Sequence, residues 1–592
     1  MPSTEAMSDV AGGANDPVGT SHAGSRRAAI ALLVGGLIPA LVVYAVHWRR
    51  GYFLDDPFMD ALSLVELRDS VVNMRARPLG TVLVAITYLA GEPAGRVLGA
   101  IALGATALLT ALLVRRLCGG RYAPVVAVLL VTYPLLDFES ALYWYAAIQY
   151  PAGAAFGLAG GHTFLSALRA TTRGRAVSSG AASAVLFALG LACTETAVNF
   201  LLLLPGIAFV EGVRRKGFDR RSLLRLGATT GAAGVTVGAL GAFIYLPKNE
   251  FTSARGGLIL DPSEAIHRVT GFWLPALRGL AFSRQRGEIH AEAFRLGIAN
   301  LRSPLVLCAF AVAIGLGLYA VREASTADGD PGRVGGVRAA AAMGLVGTML
   351  FAVSFWFPAA LLSGQGPVTR LLFTPWVAAV VVVVAAVAAL EATGRYRRLL
   401  PVMVASVLAA TIGLAVTLDG YGDLFRLRDA RNDRQVAAWL ELLRAAEPLP
   451  AGLRIVSLYG RDELLGRRAT VDNTFAGITE TPWALSRTIS DIRDEGLVAL
   501  GGHPFVPVCL AQTDDPTALR VTTFFNSEVV PIGSLLAAEV VDDRLLVVDE
   551  IRFGATVVEL PLGRLAGGSF ERLSLQTTKD QACRAFGAPA GP

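Results

Sequence analysis

The chain has 592 residues, of which 53% are hydrophobic and only 17% charged, and its mean hydropathy is +0.53. Soluble domains carry about 25% charged residues, so this composition excludes an ordinary soluble protein and fits a polytopic membrane protein. The net charge of +6 sits in short arginine clusters between apolar spans, which serves membrane topology and argues against nucleic acid as a partner.

Residues 1–27 are polar and rich in small side chains, and read as a disordered cytoplasmic tail. Arg26-Arg27 precede an apolar span at 28–47 that is too long for a cleavable signal core, so a signal anchor is expected. In all, about eleven spans of roughly 20 residues are expected from bilayer thickness. They lie near 28–47, 95–117, 122–136, 147–168, 178–193, 196–212, 224–246, 303–321, 338–358, 371–391 and 399–417. The shorter apolar run at 79–91 is expected to be a helix at the outer interface.

Arginines order the topology. Arg115-Arg116 with Arg121, then Arg169, Arg173 and Arg175, then Arg214-Arg215-Lys216 with Arg220-Arg221 occupy alternate loops. Arg322, Arg333 and Arg338, and then Arg395, Arg397 and Arg398, continue the series on the side of Arg26-Arg27. Positive loops stay in the cytoplasm. The expected protein is therefore a multi-pass plasma-membrane protein with a cytoplasmic N-terminus. Asp55-Asp56, Asp137, Glu139, Glu195, the loop 247–302, Arg370 and everything after 418 then share the outer face. Arg49-Arg50, at the outer end of the first span, and the cations of 247–302 break the pattern.

Residues 418–592 change character. Helical stretches near 430–446 and 482–495 precede alternating runs such as Leu545-Leu546-Val547-Val548 and Ala555-Thr556-Val557-Val558-Glu559-Leu560. A mixed α/β extracytoplasmic domain is expected, after a transmembrane module at 28–417. Cys509 and Cys583 are the only cysteines in this region, and an outer location permits them to pair.

Six places combine residue types that carry chemistry. Asp55-Asp56, before Pro57, fit a helix cap, and they equally fit a general base with its orienting partner. Arg77-Pro78 open the interfacial segment, where Arg77 is expected to anchor at lipid headgroups or to meet substrate. Asp137 and Glu139, with Tyr143, Trp144, Tyr145 and Gln149, make an acidic and aromatic turn, suited both to an interfacial belt and to sugar stacking. Glu195, in Thr194-Glu195-Thr196, is a lone acid in an apolar stretch and a functional candidate on that ground. Lys248, Arg255 and the other cations of 247–302 give a basic outer loop, either a solvated face or a site for an anionic headgroup. Arg370, between Pro367 and Pro375, is placed to clamp a phosphate. No zinc spacing joins the six histidines, and no P-loop occurs.

Together these residues resemble the GT-C superfamily of membrane glycosyltransferases, of the protein O-mannosyltransferase and aminoarabinose transferase type. The resemblance rests on Asp55-Asp56 after the first span, Arg77-Pro78-Leu79, the order Pro134, Glu139, Trp144, then Thr194-Glu195-Thr196, and Arg370. It covers roughly 28–420. Thr194 stands where a basic residue is usual, which leaves one phosphate contact unfilled. The resemblance implies a GT-C-like helical bundle and a polyprenyl-phosphate sugar as donor. It further implies inverting transfer to a cell-envelope glycan, lipid or protein acceptor, with Asp55 as base assisted by Asp56. Some such enzymes hold a divalent metal, Mg or Mn, for which Asp55, Asp56, Asp137, Glu139 and Glu195 offer oxygen ligands. Two other readings compete: a lipid or solute transporter or flippase, and a membrane scaffold acting through its C-terminal domain. Charge at span ends rather than span centres weighs against transport.

Overall fold

The computed structural model of the chain describes residues 77–90, 92–118, 122–131, 144–214, 219–245, 261–275, 284–303, 333–361, 372–392, 399–458, 498–501, 508–523, 527–541, 544–577 and 581–584, with a few single positions between them. The helical part runs α1 Pro78–Ala90, α2 Glu92–Cys118, α3 Ala123–Val131, α4 Trp144–Arg169 and α5 Arg173–Cys193. A 3₁₀ helix, Glu195–Leu202, follows, then α6 Leu203–Arg214 and α7 Arg220–Tyr245. After α8 Pro262–Arg268 and α9 Arg284–Ala299 come α10 Arg333–Leu361, α11 Phe373–Ala392 and α12 Leu399–Ala445.

Among the described residues, six stretches are long and apolar enough to cross a membrane: Val97–Leu117, Arg173–Cys193, Glu195–Arg214, Arg220–Ala242, Arg338–Trp356 and Phe373–Leu390. These match expected spans, while the full count of about eleven is not reached among the described residues. The first expected span, 28–47, and the tail before it lie outside them. Small residues set the packing. A Cβ on Gly153 or Gly157 of α4 would run into Thr194 or Phe200, so glycine there lets the 3₁₀ helix lie directly on α4.

The arginine ends of α2, α4, α6 and α7 gather at one end of the bundle. Arg169 Nε and Nη2 donate to the two oxygens of Glu211 at 3.1 and 2.7 Å. Arg169 Nη2 and Arg214 Nη1 also donate to the Arg116 carbonyl, and Arg225 Nη1 donates to that of Leu168 at 2.8 Å. Each guanidinium thus satisfies carbonyls left over where a helix stops. The alternating clusters of the sequence are brought onto a common face.

The interfacial segment at 79–91 is indeed helical, as α1, but it is no surface float. Val84 and Thr81 are buried, and Gly80 sits against the Cys193 carbonyl at the end of α5.

Beyond the bundle stands a sheet domain. Its strands are β1 Arg454–Leu458, β2 Val498–Gly501, β3 Val508–Gln512, β4 Ala518–Thr522, β5 Ser527–Pro531, β6 Leu535–Val541, β7 Arg544–Phe553, β8 Thr556–Glu559, β9 Glu571–Thr577 and β10 Gln581–Arg584. Six form one sheet in the order β2-β1-β6-β7-β8, with β9 also on β7; β1 is parallel to both β2 and β6. Four form an antiparallel sheet, β10-β3-β4-β5. Trp439, Leu442 and Leu443 of α12 are fully buried with Ile455, Leu536 and Val547. The last turns of α12 are therefore part of the domain core, and the expected boundary at 417/418 falls inside one continuous helix. Cys509 is disulfide-bonded, and strand register sets it opposite Cys583.

Candidate functional site

Pro78 fixes the start of α1, since its ring holds φ at a helical value and its missing N–H would have no partner there. Arg77 consequently sits at the cap, its carbonyl accepting from the Thr81 N–H and hydroxyl, both at 2.8 Å. Its side chain turns inward and is buried. Headgroup anchoring, one of the two roles expected for Arg77, is thereby overturned.

Glu195 reaches this place by a break in regular structure. Thr194 is extended, with φ −160° and ψ 142°, and ends α5 before the 3₁₀ helix begins at Glu195. A 3₁₀ helix repeats every three residues. Thr194, Ala197, Phe200 and Leu203 accordingly face Gly153, Gly157 and Gly161 of α4. That phase turns Glu195 toward Arg77, at a helix N-terminus where negative charge is favoured.

The two charges meet in a bidentate pair. Arg77 Nε donates to Glu195 Oε2 at 2.7 Å and Arg77 Nη2 donates to Glu195 Oε1. Arg77 Nη1 donates to Gln149 Oε1 at 3.0 Å, and the guanidinium lies 5.7 Å from the centre of the Tyr150 ring. Glu195, Thr194, Thr196 and Gln149 are all buried. The parallel N–H···O bonds fix geometry as well as charge. Removing one partner of such a pair strands the other, at about 3–5 kcal/mol. A guanidinium with its fork on Glu195 and its third arm on Gln149 orients neighbours and is not an open phosphate clamp.

Of the residues expected at a site, the structure brings Arg77 and Glu195 together across 118 positions of sequence. Trp144 opens α4, one and a half turns before Gln149, and its side chain is not described. Asp55, Asp56, Asp137, Glu139, Lys248, Arg255 and Arg370 lie outside the described residues. Among the described residues, no three His, Cys, Asp or Glu side chains gather as a metal site would require. Sequence reading grouped Gln149 with an aromatic turn without giving it a role.

The basic stretch 247–302 contains organised helices. Asp261 caps α8, its Oδ1 accepting from Ser263 N at 2.9 Å, and this bond holds its carboxyl below the usual range. Burial lowers Arg268 from its ordinary value, and Glu264 opposes that shift.

No protein-family model matches this chain, and no curated protein matches it. Solved structures do. The chain is similar to ArnT from Cupriavidus metallidurans bound to undecaprenyl phosphate, at 15% identity and TM-score 0.33, over 81% of this chain and 90% of that one. It is similar to the apo state of the same ArnT at 15% identity and TM-score 0.34, over 81% and 86%.

Proposed function

We propose that this chain is a membrane glycosyltransferase that moves a sugar from a polyprenyl-phosphate donor to an extracytoplasmic acceptor hydroxyl. The observation that carries the reading is the Arg77–Glu195 pair. Both residues were singled out from short motifs of the GT-C resemblance, and they meet as a buried bidentate pair. Burying two charges at the end of an apolar bundle is costly, and an apolar pair of equal volume would serve packing as well.

In this reading Asp55 takes the proton of the acceptor hydroxyl as its oxygen attacks the anomeric carbon, and Asp56 orients Asp55. The bond to the lipid phosphate breaks with its electron pair, so the leaving group departs as an anion and needs no proton. Arg370, Lys248 and Arg255 stabilise that anion. Attack opposite the leaving group inverts the anomeric centre. Arg77 positions Glu195 and Gln149, and Asp137, Glu139 and Trp144 bind the sugar. Both oxygens of Glu195 accept from Arg77, so Asp55, Asp56, Asp137 and Glu139 are the carboxylates that would hold a divalent cation.

Transfer of radiolabelled sugar from polyprenyl-phosphate donors, in membranes holding wild type or Asp55→Asn, tests this. Transfer present in wild type and lost in the variant at equal folded protein supports the reading. Wild type inert with every donor would overturn it in favour of transport or scaffolding.

A further inference from the structure

The arginine end of the bundle holds a cavity that the site above leaves unused. It measures about 350 Å³, a volume usual for small-ligand pockets, and its apolar walls are Leu168 of α4, Ala208 of α6, and Leu223 and Leu226 of α7. A chain reversal opens it. The Gly217 N–H donates to the Gly212 carbonyl at 2.9 Å and closes off α6, and α7 starts at Arg220. A Cβ on Gly217 would meet nothing within 4 Å, so the turn leaves space between the two helix ends. α7 is the least buried of the six apolar stretches, at 17%. Leu223 lines the cavity and is 51% exposed, so the cavity opens on the side that lipid covers.

Cations edge this apolar space. Arg169 follows Leu168, Arg220 and Arg221 precede Ser222, and Arg225 precedes Leu226. With Arg214, five guanidiniums among the described residues stand beside two carboxylates, Glu211 and Asp219. Both carboxylates are engaged: Glu211 accepts from Arg169 through both oxygens, and Asp219 Oδ1 accepts from the Ser222 N–H. Arg214, Arg220 and Arg221 are exposed. Arg220 and Arg221 moreover open a helix, the end where a cation is disfavoured and an added anion offsets the cost. Apolar walls edged by arginines, where a span ends, match an anionic lipid in both its parts.

We propose that this cavity binds an anionic phospholipid from the leaflet on the arginine side. One acyl chain enters between Ala208, Leu223 and Leu226, and the phosphate lies on Arg214, Arg220 and Arg221. Arg77 and Glu195 stand at the opposite ends of the same helices, and the assignment does not depend on the transfer reaction.

The test is photocrosslinking of the full chain in phosphatidylcholine nanodiscs. Phosphatidylglycerol carrying a diazirine on one acyl chain is compared with the same probe bearing a choline head. Peptides covering 203–226 should carry severalfold more adduct from the glycerol probe, and excess unlabelled phosphatidylglycerol should remove the difference. Equal labelling of wild type by the two probes would overturn the proposal, and this comparison stands even where a variant fails to fold. Arg214→Gln, Arg220→Gln and Arg221→Gln together should bring the glycerol probe down to the choline level. Ala208→Phe fills the cavity with the arginines intact and should lower the glycerol adducts severalfold. Undiminished labelling of that variant would also overturn the proposal, leaving only attraction to an arginine surface.

Discussion

Arg77 and Glu195 hold each other in a place where neither survives alone. Glu195→Ala should destabilise the folded protein by about 3 kcal/mol, measured by denaturant unfolding in detergent, because it strands a buried guanidinium. Arg77→Met combined with Glu195→Leu should recover most of that loss while sugar transfer stays absent. Recovery of transfer together with stability would reduce the pair to a packing device. A second expectation at this scale concerns acid. The Ser574 hydroxyl, and after it Arg552, donate to Glu550 and hold its carboxyl below the ordinary 4.5. Thr517 does the same for Asp515. A depressed folded value contributes stability above the unfolded one, and that contribution fades as pH falls below it. Ser574→Ala should therefore lower stability at neutral pH, with the difference from wild type shrinking as pH falls below about 4.5. Single charges were the most legible feature of the sequence, since Glu195 interrupts an apolar run and Arg77, before Pro78, opens one. Gln149 was not assigned because an amide carries no such contrast, and Glu211 vanished among arginines although it ties the end of α4 to that of α6.

Elements were legible where one period dominated. The apolar lengths of α2, α5, α7 and α11 declared themselves, and so did the runs that became β7 and β8. The 3₁₀ helix could not be read, because Glu195–Leu202 has an apolar composition that suits an α-helix equally well. Only its contact with the glycines of α4 shows a period of three. The parallel pairings of β1 with β2 and β6 were likewise silent, since register between distant strands leaves no local mark. Close approach gives a prediction here. A Cβ on Gly420 would collide with the Ala293 carbonyl, so Gly420→Ala should push α9 from α12 and cost about 1–3 kcal/mol, as overpacking does. Thermal unfolding of the variant checks it, and an unchanged midpoint would mean that the helices separate without loss.

At the scale of the molecule, composition declared the membrane and the change near 418 declared a second unit. The connection between them was hidden, because Gly420 and Gly422 stand at the change from apolar to charged and read as a break, yet α12 runs through them. At 47 residues it is roughly 70 Å long, one rigid piece from bundle to sheet core. Leu427→Pro should cost about 3 kcal/mol and open a protease site near 425–435, visible as two fragments on limited digestion.

A continuous helix also behaves as a graduated shaft. One residue added between 422 and 430 would turn the sheet domain by about 100° while lifting it only about 1.5 Å. Seven added residues bring the angle back to within about 20° yet raise the domain by about 10 Å. Length and direction are thus coupled in this connection, and comparing the two insertions separates them. An outer domain that must face one way tolerates the longer insertion and fails with the shorter.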